Sequence, residues 1–146
     1  MLAGSKPLKI CVDARLLGGI AGGVEQFIIG LVHGLSRLED GDEQYFVLAY
    51  PGHDAWIRPY VGGRCRILST RTVPRVRTGN SGSAGKGAFE WICRLNPNTG
   101  HWRLRELFSD GTIERADIDL MHFTFQIAFL TRVKNIYHPW DLQHVH

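Results

Sequence analysis

The feature that most constrains the fold is a succession of strand, glycine-rich turn, helix and strand near the start of the chain. Residues 9–17, KICVDARLL, begin with an apolar run that predicts a buried strand, and GGIAGG at 18–23 forms a turn. Apolar residues then recur at helical spacing from Val24 to Leu38, and YFVLAY at 45–50 predicts a second strand. This order favours a right-handed βαβ unit in a parallel sheet.

Three further strands are expected along the chain. CRILST at 65–70 predicts a short third strand, and the apolar runs IDLMHFTF at 118–125 and VKNIYH at 133–138 predict two buried ones. The stretch from about 71 to 115 is basic, rich in Gly and Ser at its start, and predicts a flexible insertion. We therefore expect one α/β domain over residues 1–146, a Rossmann-like parallel sheet flanked by helices.

Composition limits the class of protein. No apolar run approaches the roughly 18 residues of a spanning helix, and the first residues lack the apolar core of a secretory signal, so a soluble cytoplasmic protein is expected. The cysteines Cys11, Cys65 and Cys93 are odd in number and far apart, which favours free buried thiols over a disulfide framework or a zinc site.

The charge is unevenly distributed. The chain carries a net charge of +3, but residues 58–105 contain ten basic residues and one acid. Such a segment attracts phosphate-bearing ligands, nucleic acid or an anionic membrane surface, or it is simply a solvated basic loop.

The glycine turn is the first candidate site. Gly22 and Gly23 lie where a strand passes into a helix, so their backbone N–H groups can approach an anion closely, and Glu25 follows in the first helical turn. The strict dinucleotide motif G-x-G-x-x-G is absent, because Ile20, Val24 and Glu25 occupy positions where the second glycine would be needed. Phosphate contact and a purely structural turn are both compatible with this pattern.

Polar residues follow the last two predicted strands. His122 to Gln126 lie at the end of one of them, and His138 to His146, HPWDLQHVH, lie at the end of the other and beyond it. In parallel α/β sheets ligands gather at the carboxyl ends of strands, so these residues are expected to converge near the glycine turn. The terminal segment is compatible with a metal site, with solvated histidines or with a ligand-facing loop; no second ligand cluster completes a metal site, and no metal or cofactor is predicted.

Taken together, KICVDARLLGGIAGGVEQFIIGLVHGL, DLMHF and NIYHPWDLQHVH resemble the N-terminal domain of retaining glycosyltransferases of the GT-B fold, the family 4 or group 1 type. The resemblance covers both ends of the chain and covers residues 71–115 poorly. One departure is Trp140, which stands where the family commonly has a histidine before the Asp-Leu pair. A second is that the nucleotide-sugar domain which follows in the family is absent from the 146 residues, so a fragment with little activity alone is expected.

The resemblance implies specific roles. Gly22 and Gly23 would approach the phosphates of a nucleotide-sugar donor, and the first domain would bind the acceptor. The implied catalytic residues are His138, Asp141 and His144. The implied substrate-binding residues are Gly22, Gly23, Glu25, His122, Trp140 and Gln143.

The implied partners are a nucleotide-sugar donor and a sugar or lipid-linked acceptor, with peripheral contact to the inner membrane face and no nucleic acid. Two alternatives stay open. A Rossmann oxidoreductase would need an acid at the end of the second strand, where no acid appears before Asp54. A basic RNA- or lipid-binding module would use residues 58–105, with Trp91 and Trp102 interleaved.

Overall fold

The computed structural model describes residues 6–19, 22–71, 108–125 and 127–138. In these ranges the predicted strands and the predicted helix all form, with boundaries shifted by a few residues. The elements are β1 (Lys9–Asp13), α1 (Gly22–Ser36), β2 (Gln44–Ala49), a short 3₁₀ turn (Arg58–Tyr60), β3 (Cys65–Ser69), α2 (Thr112–Arg115), β4 (Leu120–Phe123) and β5 (Lys134–Tyr137).

The five strands form one parallel sheet in the order β3-β2-β1-β4-β5. The predicted α/β, Rossmann-like fold class is thereby confirmed. Because parallel crossovers are right-handed, the connections that run from β1 to β3 and the connection that returns from β3 to β4 are expected on opposite faces of the sheet. The two apolar clusters of the core agree with this expectation, because α1 packs on one face of the sheet and α2 packs on the other.

The two faces of β1 belong to different apolar clusters, because successive side chains of a strand point to opposite sides. Val12 packs with Ile28 and Val32 of α1, while Cys11 packs with Ile113 of α2 and with Met121 of β4. We call the first side the α1 face and the second side the α2 face. Burial on both faces explains why the sequence of β1 is an apolar run rather than an alternation.

The prediction of a strand within residues 133–138 is confirmed, but the prediction that this strand is buried is wrong. All four residues of β5 are exposed, and Ile136 retains 51% of its accessible surface. The reason is position: β5 is the last strand in the described sheet and pairs with β4 alone. An apolar run shows that a strand forms but not where in the sheet it lies.

The predicted flexible insertion, residues 71–115, falls mostly on 72–107, which lie outside the described residues. At its described end, the exposed Phe108 forms a backbone bridge with the exposed Leu130, and Ile113 of α2 is buried in the core. Cys11 and Cys65 are free and buried, while Cys93 lies outside the described residues. No helix in the described ranges has both the length and the apolar character needed to cross a membrane.

A candidate site at the carboxyl edge of the sheet

The described site residues that the sequence predicts lie at or near the carboxyl edge of the sheet. The strands end at this edge with Asp13, Ala49, Ser69, Phe123 and Tyr137. The chain leaves β1 towards β2 on one side, and β4 lies on the other side. In a doubly wound sheet this reversal of strand order opens a crevice between the loops, and ligands of such folds bind there. The switch point of this sheet lies between β1 and β4.

The glycine turn follows β1 at this carboxyl edge. A Cβ atom on Gly18 would come within 2.8 Å of the Trp56 ring, so the turn can pack against Trp56 only with glycine at this position. Gly22 begins α1 with a φ of +50°, a left-handed conformation that favours glycine. Gly22 and Gly23 are exposed, and in the described part of the chain no heavy atom, apart from their chain neighbours and the backbone of α1 itself, lies within 4 Å of where their Cβ atoms would be.

Glu25 interacts with the turn itself. Its carboxylate accepts a hydrogen bond of 2.8 Å from the backbone N–H of Gly19. A negative charge in the first turn of a helix is favoured by the helix dipole. The negative charge beside the glycine turn is therefore the carboxylate of Glu25. A phosphate that binds close to Gly19 would be repelled by this charge.

His122 and His138 are brought together although sixteen positions separate them. His122 lies on the α1 face because it is in register with Val12, and its ring stacks on that of His138 with centroids 6.2 Å apart and planes 6° apart. The backbone N–H of His138 donates to the carbonyl of Phe123 at 3.0 Å, which continues the β4–β5 ladder. Phe27 of α1 meets the His138 ring edge-on at 5.3 Å, so the two imidazoles lie near the first half of α1.

Burial lowers the pKa of His122, and the neighbouring His138 lowers it further, while the negative charge of Asp13 raises it. A histidine whose pKa is lower when folded binds its proton more weakly than in the unfolded chain. Its contribution to stability is therefore fully present above the ordinary histidine pKa of about 6.5, and is lost as the pH falls below that value. At neutral pH the net effect favours a neutral His122 imidazole, able both to donate and to accept hydrogen bonds.

We expect the free energy of unfolding to decrease as the pH is lowered below about 6.5, in part through His122. Replacing His122 by Gln should make this decrease shallower. Urea unfolding followed at several pH values measures the slope. An identical slope for His122→Gln and the parent chain would contradict the assignment.

Four of the predicted site residues lie outside the described residues. They are the implied catalytic pair Asp141 and His144 and the implied substrate-binding pair Trp140 and Gln143. Of the predicted site, the structure therefore places Gly22, Gly23, Glu25, His122 and His138.

A buried ion pair at the end of β1 was not predicted. Asp13 is fully buried and Arg15 is 8% exposed, and both guanidinium–carboxylate hydrogen bonds are 2.8 Å long. The hydroxyl of Thr124, which follows β4, donates to the backbone carbonyl of Asp13. The only sequence signal is two opposite charges two positions apart at the end of an apolar run, and such charges are usually solvated.

Two observations bear on the alternative functions. Asp54, the first acid after β2, pairs with Arg58, so a dinucleotide ribose would have to compete with this ion pair. Arg64 and Arg66, which open the basic segment with Arg58, donate to backbone carbonyls of nearby turns. The remaining basic residues of that segment, apart from Arg71, lie outside the described residues.

Two grooves lie away from the carboxyl edge. One, of about 600 Å³, is lined by Leu8, Asp119, Leu120 and Lys134 among others, and the other, of about 340 Å³, includes Gln44 and Arg64. Both lie at the amino ends of the strands and contain none of the predicted site residues. No group of three His, Cys, Asp or Glu side chains suited to a metal ion occurs in the described part of the chain.

Comparisons with models of protein families, with curated proteins and with solved structures found no significant match to this chain.

Proposed function

We propose that this chain is the acceptor-side domain of a retaining glycosyltransferase that uses a nucleotide-activated sugar. The observations that carry the proposal are an open glycine turn at the start of α1 and two stacked imidazoles at the carboxyl edge of a parallel sheet, one of which lies against Phe27 in the first half of the same helix. The resemblance of the sequence to the GT-B class supports the same conclusion. A site at this place in the fold suits many ligands, so the residue types decide between them.

The residue types suit the chemistry of sugar transfer. Breaking the bond between the sugar and the nucleotide puts negative charge on a leaving diphosphate, and exposed N–H groups at Gly22 and Gly23 are donors of the kind that stabilise such charge. The neutral imidazole of His122 can hydrogen-bond sugar hydroxyls or take up the acceptor's proton, and the His138 ring is stacked beside it. The proposed roles of Asp141 and His144 rest on the sequence resemblance.

The proposal includes partners beyond the described residues. A second domain would hold the nucleotide of the donor, because the transition state of transfer needs groups on both sides of the sugar. The acceptor would be a sugar or a lipid-linked sugar. The basic stretch 58–105 would bring the protein to the anionic inner face of a membrane from the cytoplasm, with about 1 kcal/mol for each suitably placed Lys or Arg.

The proposal is tested by titrating the ¹⁵N-labelled chain with UDP-glucose, GDP-mannose and pyrophosphate, and recording amide and imidazole NMR signals. We expect the signals of Gly22, Gly23, His122 and His138 to shift. Replacing His138 by Ala should weaken this binding at least about tenfold, an effect equivalent to about 1.4 kcal/mol.

The matched control is His33→Ala, which removes an imidazole from the last turn of the same helix that carries Gly22 at its start. It should leave the titration unchanged. Shifts confined to the amino-edge grooves, or no shift with millimolar ligand, would contradict the proposal. Enhanced NADH fluorescence on mixing would favour the oxidoreductase instead.

A further inference from the structure

We propose that His122 and His138 act as one proton-binding pair, in which His138 carries the positive charge and His122 stays neutral. The pair would then offer a ligand two different groups, a cation and a neutral imidazole, from two side chains of the same type. The use of these groups on a phosphate or a sugar rests on the proposed function. The coupling between the two rings is a property of the chain itself and needs no ligand.

The two rings lie close enough for their charges to interact. Their centroids are 6.2 Å apart and their planes are 6° apart. Both side chains are half-buried, and the repulsion between two like charges grows as water is excluded from around them. A second proton on the pair is therefore disfavoured once the first has bound, so the two rings titrate as one unit.

The rings are held where they cannot easily move apart. The edge-on contact between Phe27 of α1 and the His138 ring has a centroid distance of 5.3 Å. The backbone N–H of His138 donates to the carbonyl of Phe123, the residue that follows His122 in β4. His122 itself lies within the β4 ladder, paired with β1 on one side and β5 on the other. The repulsion between two charged rings would therefore have to be met by these contacts.

The position of each ring decides which one takes the proton. His122 lies between two strands, and burial lowers its pKa, as does the neighbouring His138. His138 follows β5, which is the last strand of the described sheet and has a neighbouring strand on one side only. A charge on His138 is therefore more easily hydrated than a charge on His122, because desolvation disfavours the charged form of an imidazole.

Three other charged groups among the described residues lie on the elements around the pair. On β1, Asp13 points to the opposite face of the sheet and is held by Arg15, and its negative charge raises the pKa of His122 by less than burial and His138 lower it. On β5, Lys134 lies on the same face as the pair. On α1, Glu25 has its carboxylate bonded to the glycine turn. The net effect of these surroundings leaves His122 as the ring that binds a proton more weakly.

The test is an NMR titration of the assigned histidine rings from about pH 4.5 to 8.5, a range that brackets the ordinary histidine pKa of about 6.5. In the parent chain, His138 should take up its proton at a higher pH than His122. His138→Gln removes the charge and keeps the backbone N–H, so it should raise the proton affinity of His122 about threefold or more. Two charges 6.2 Å apart interact about this strongly even in water. Because coupling is reciprocal, His122→Gln should strengthen proton binding at His138 by the same factor.

The matched control is His33→Gln, which removes the imidazole that lies against Tyr60 in the last turn of α1 and should change neither titration. The inference fails if His138→Gln leaves the His122 titration unchanged, or if His122 takes up its proton at a higher pH than His138. If His138→Gln does not fold, an unchanged His138 titration in His122→Gln overturns it. Coupled rings whose titrations pyrophosphate does not alter would support the pair and contradict only its proposed use on a phosphate.

Discussion

Replacing Arg15 alone by Met should lower the free energy of unfolding by about 3–5 kcal/mol, because the change leaves a buried charge without its partner. Asp13 is fully buried and receives both of its guanidinium hydrogen bonds from Arg15. Urea unfolding followed by circular dichroism at neutral pH measures the loss. This is one of the two largest effects that we expect for a single substitution in the described residues.

The double variant with Asp13→Asn provides the control. Neutralising both members removes the unpaired charge, so the double variant should be more stable than Arg15→Met alone, and the two single losses should not add. Replacing the exposed Arg58 by Met, which removes a surface pair, should lose less than about 1 kcal/mol. Equal losses for the single and the double variant would show that the charge of Asp13 is not desolvated in the folded chain.

Replacing Phe123 by Ala should lower the free energy of unfolding by about 3–5 kcal/mol. Phe123 ends β4, is 1% exposed and packs edge-on against Phe129 with ring centroids 5.0 Å apart. Its removal leaves a cavity on the α2 face directly below the carboxyl edge. The same urea unfolding experiment measures this change.

Phe108 is the matched control, because it is the same side chain with 66% of its surface exposed. Phe108→Ala should change the free energy of unfolding by no more than about 0.5 kcal/mol. Similar losses for the two variants would contradict the placement of β4 in the interior of the sheet. That placement brings His122 to the switch point, so the comparison also tests the position of the candidate site.

The Glu25 carboxylate has a consequence for the proposed function. It accepts the Gly19 N–H, so part of the anion-binding capacity of the glycine turn is already used. The exposed start of α1 at Gly22 and Gly23 is the part that remains open to a ligand. A diphosphate would therefore bind at the start of α1 rather than at Gly19.

Much of the fold could be predicted from the residues because the signals are local. The apolar run before Asp13 and the helical spacing after Gly23 led to β1 and α1, and their boundaries differ from the prediction by a few residues. The expectation that polar residues after β4 and β5 would meet used the general geometry of parallel sheets. The adjacency of His122 and His138 is what that geometry produces when β4 and β5 are neighbours.

The rest depends on which elements become neighbours. The sequence predicts a buried strand at 133–138, yet Ile136 is exposed because β5 lies at the edge of the described sheet. From the sequence alone, Asp13 and Arg15 would be expected to be solvated charges. In the folded chain the Arg15 guanidinium lies against the rings of Phe129 and Tyr50, which are distant in the sequence. The sequence by itself determined the strands, the glycine turn and the helix, since hydrophobic periodicity and backbone freedom act over a few residues. Only the tertiary structure decided the strand order, the burial of a charged pair and the stacking of two imidazoles, since burial and electrostatic coupling depend on residues far apart in the chain.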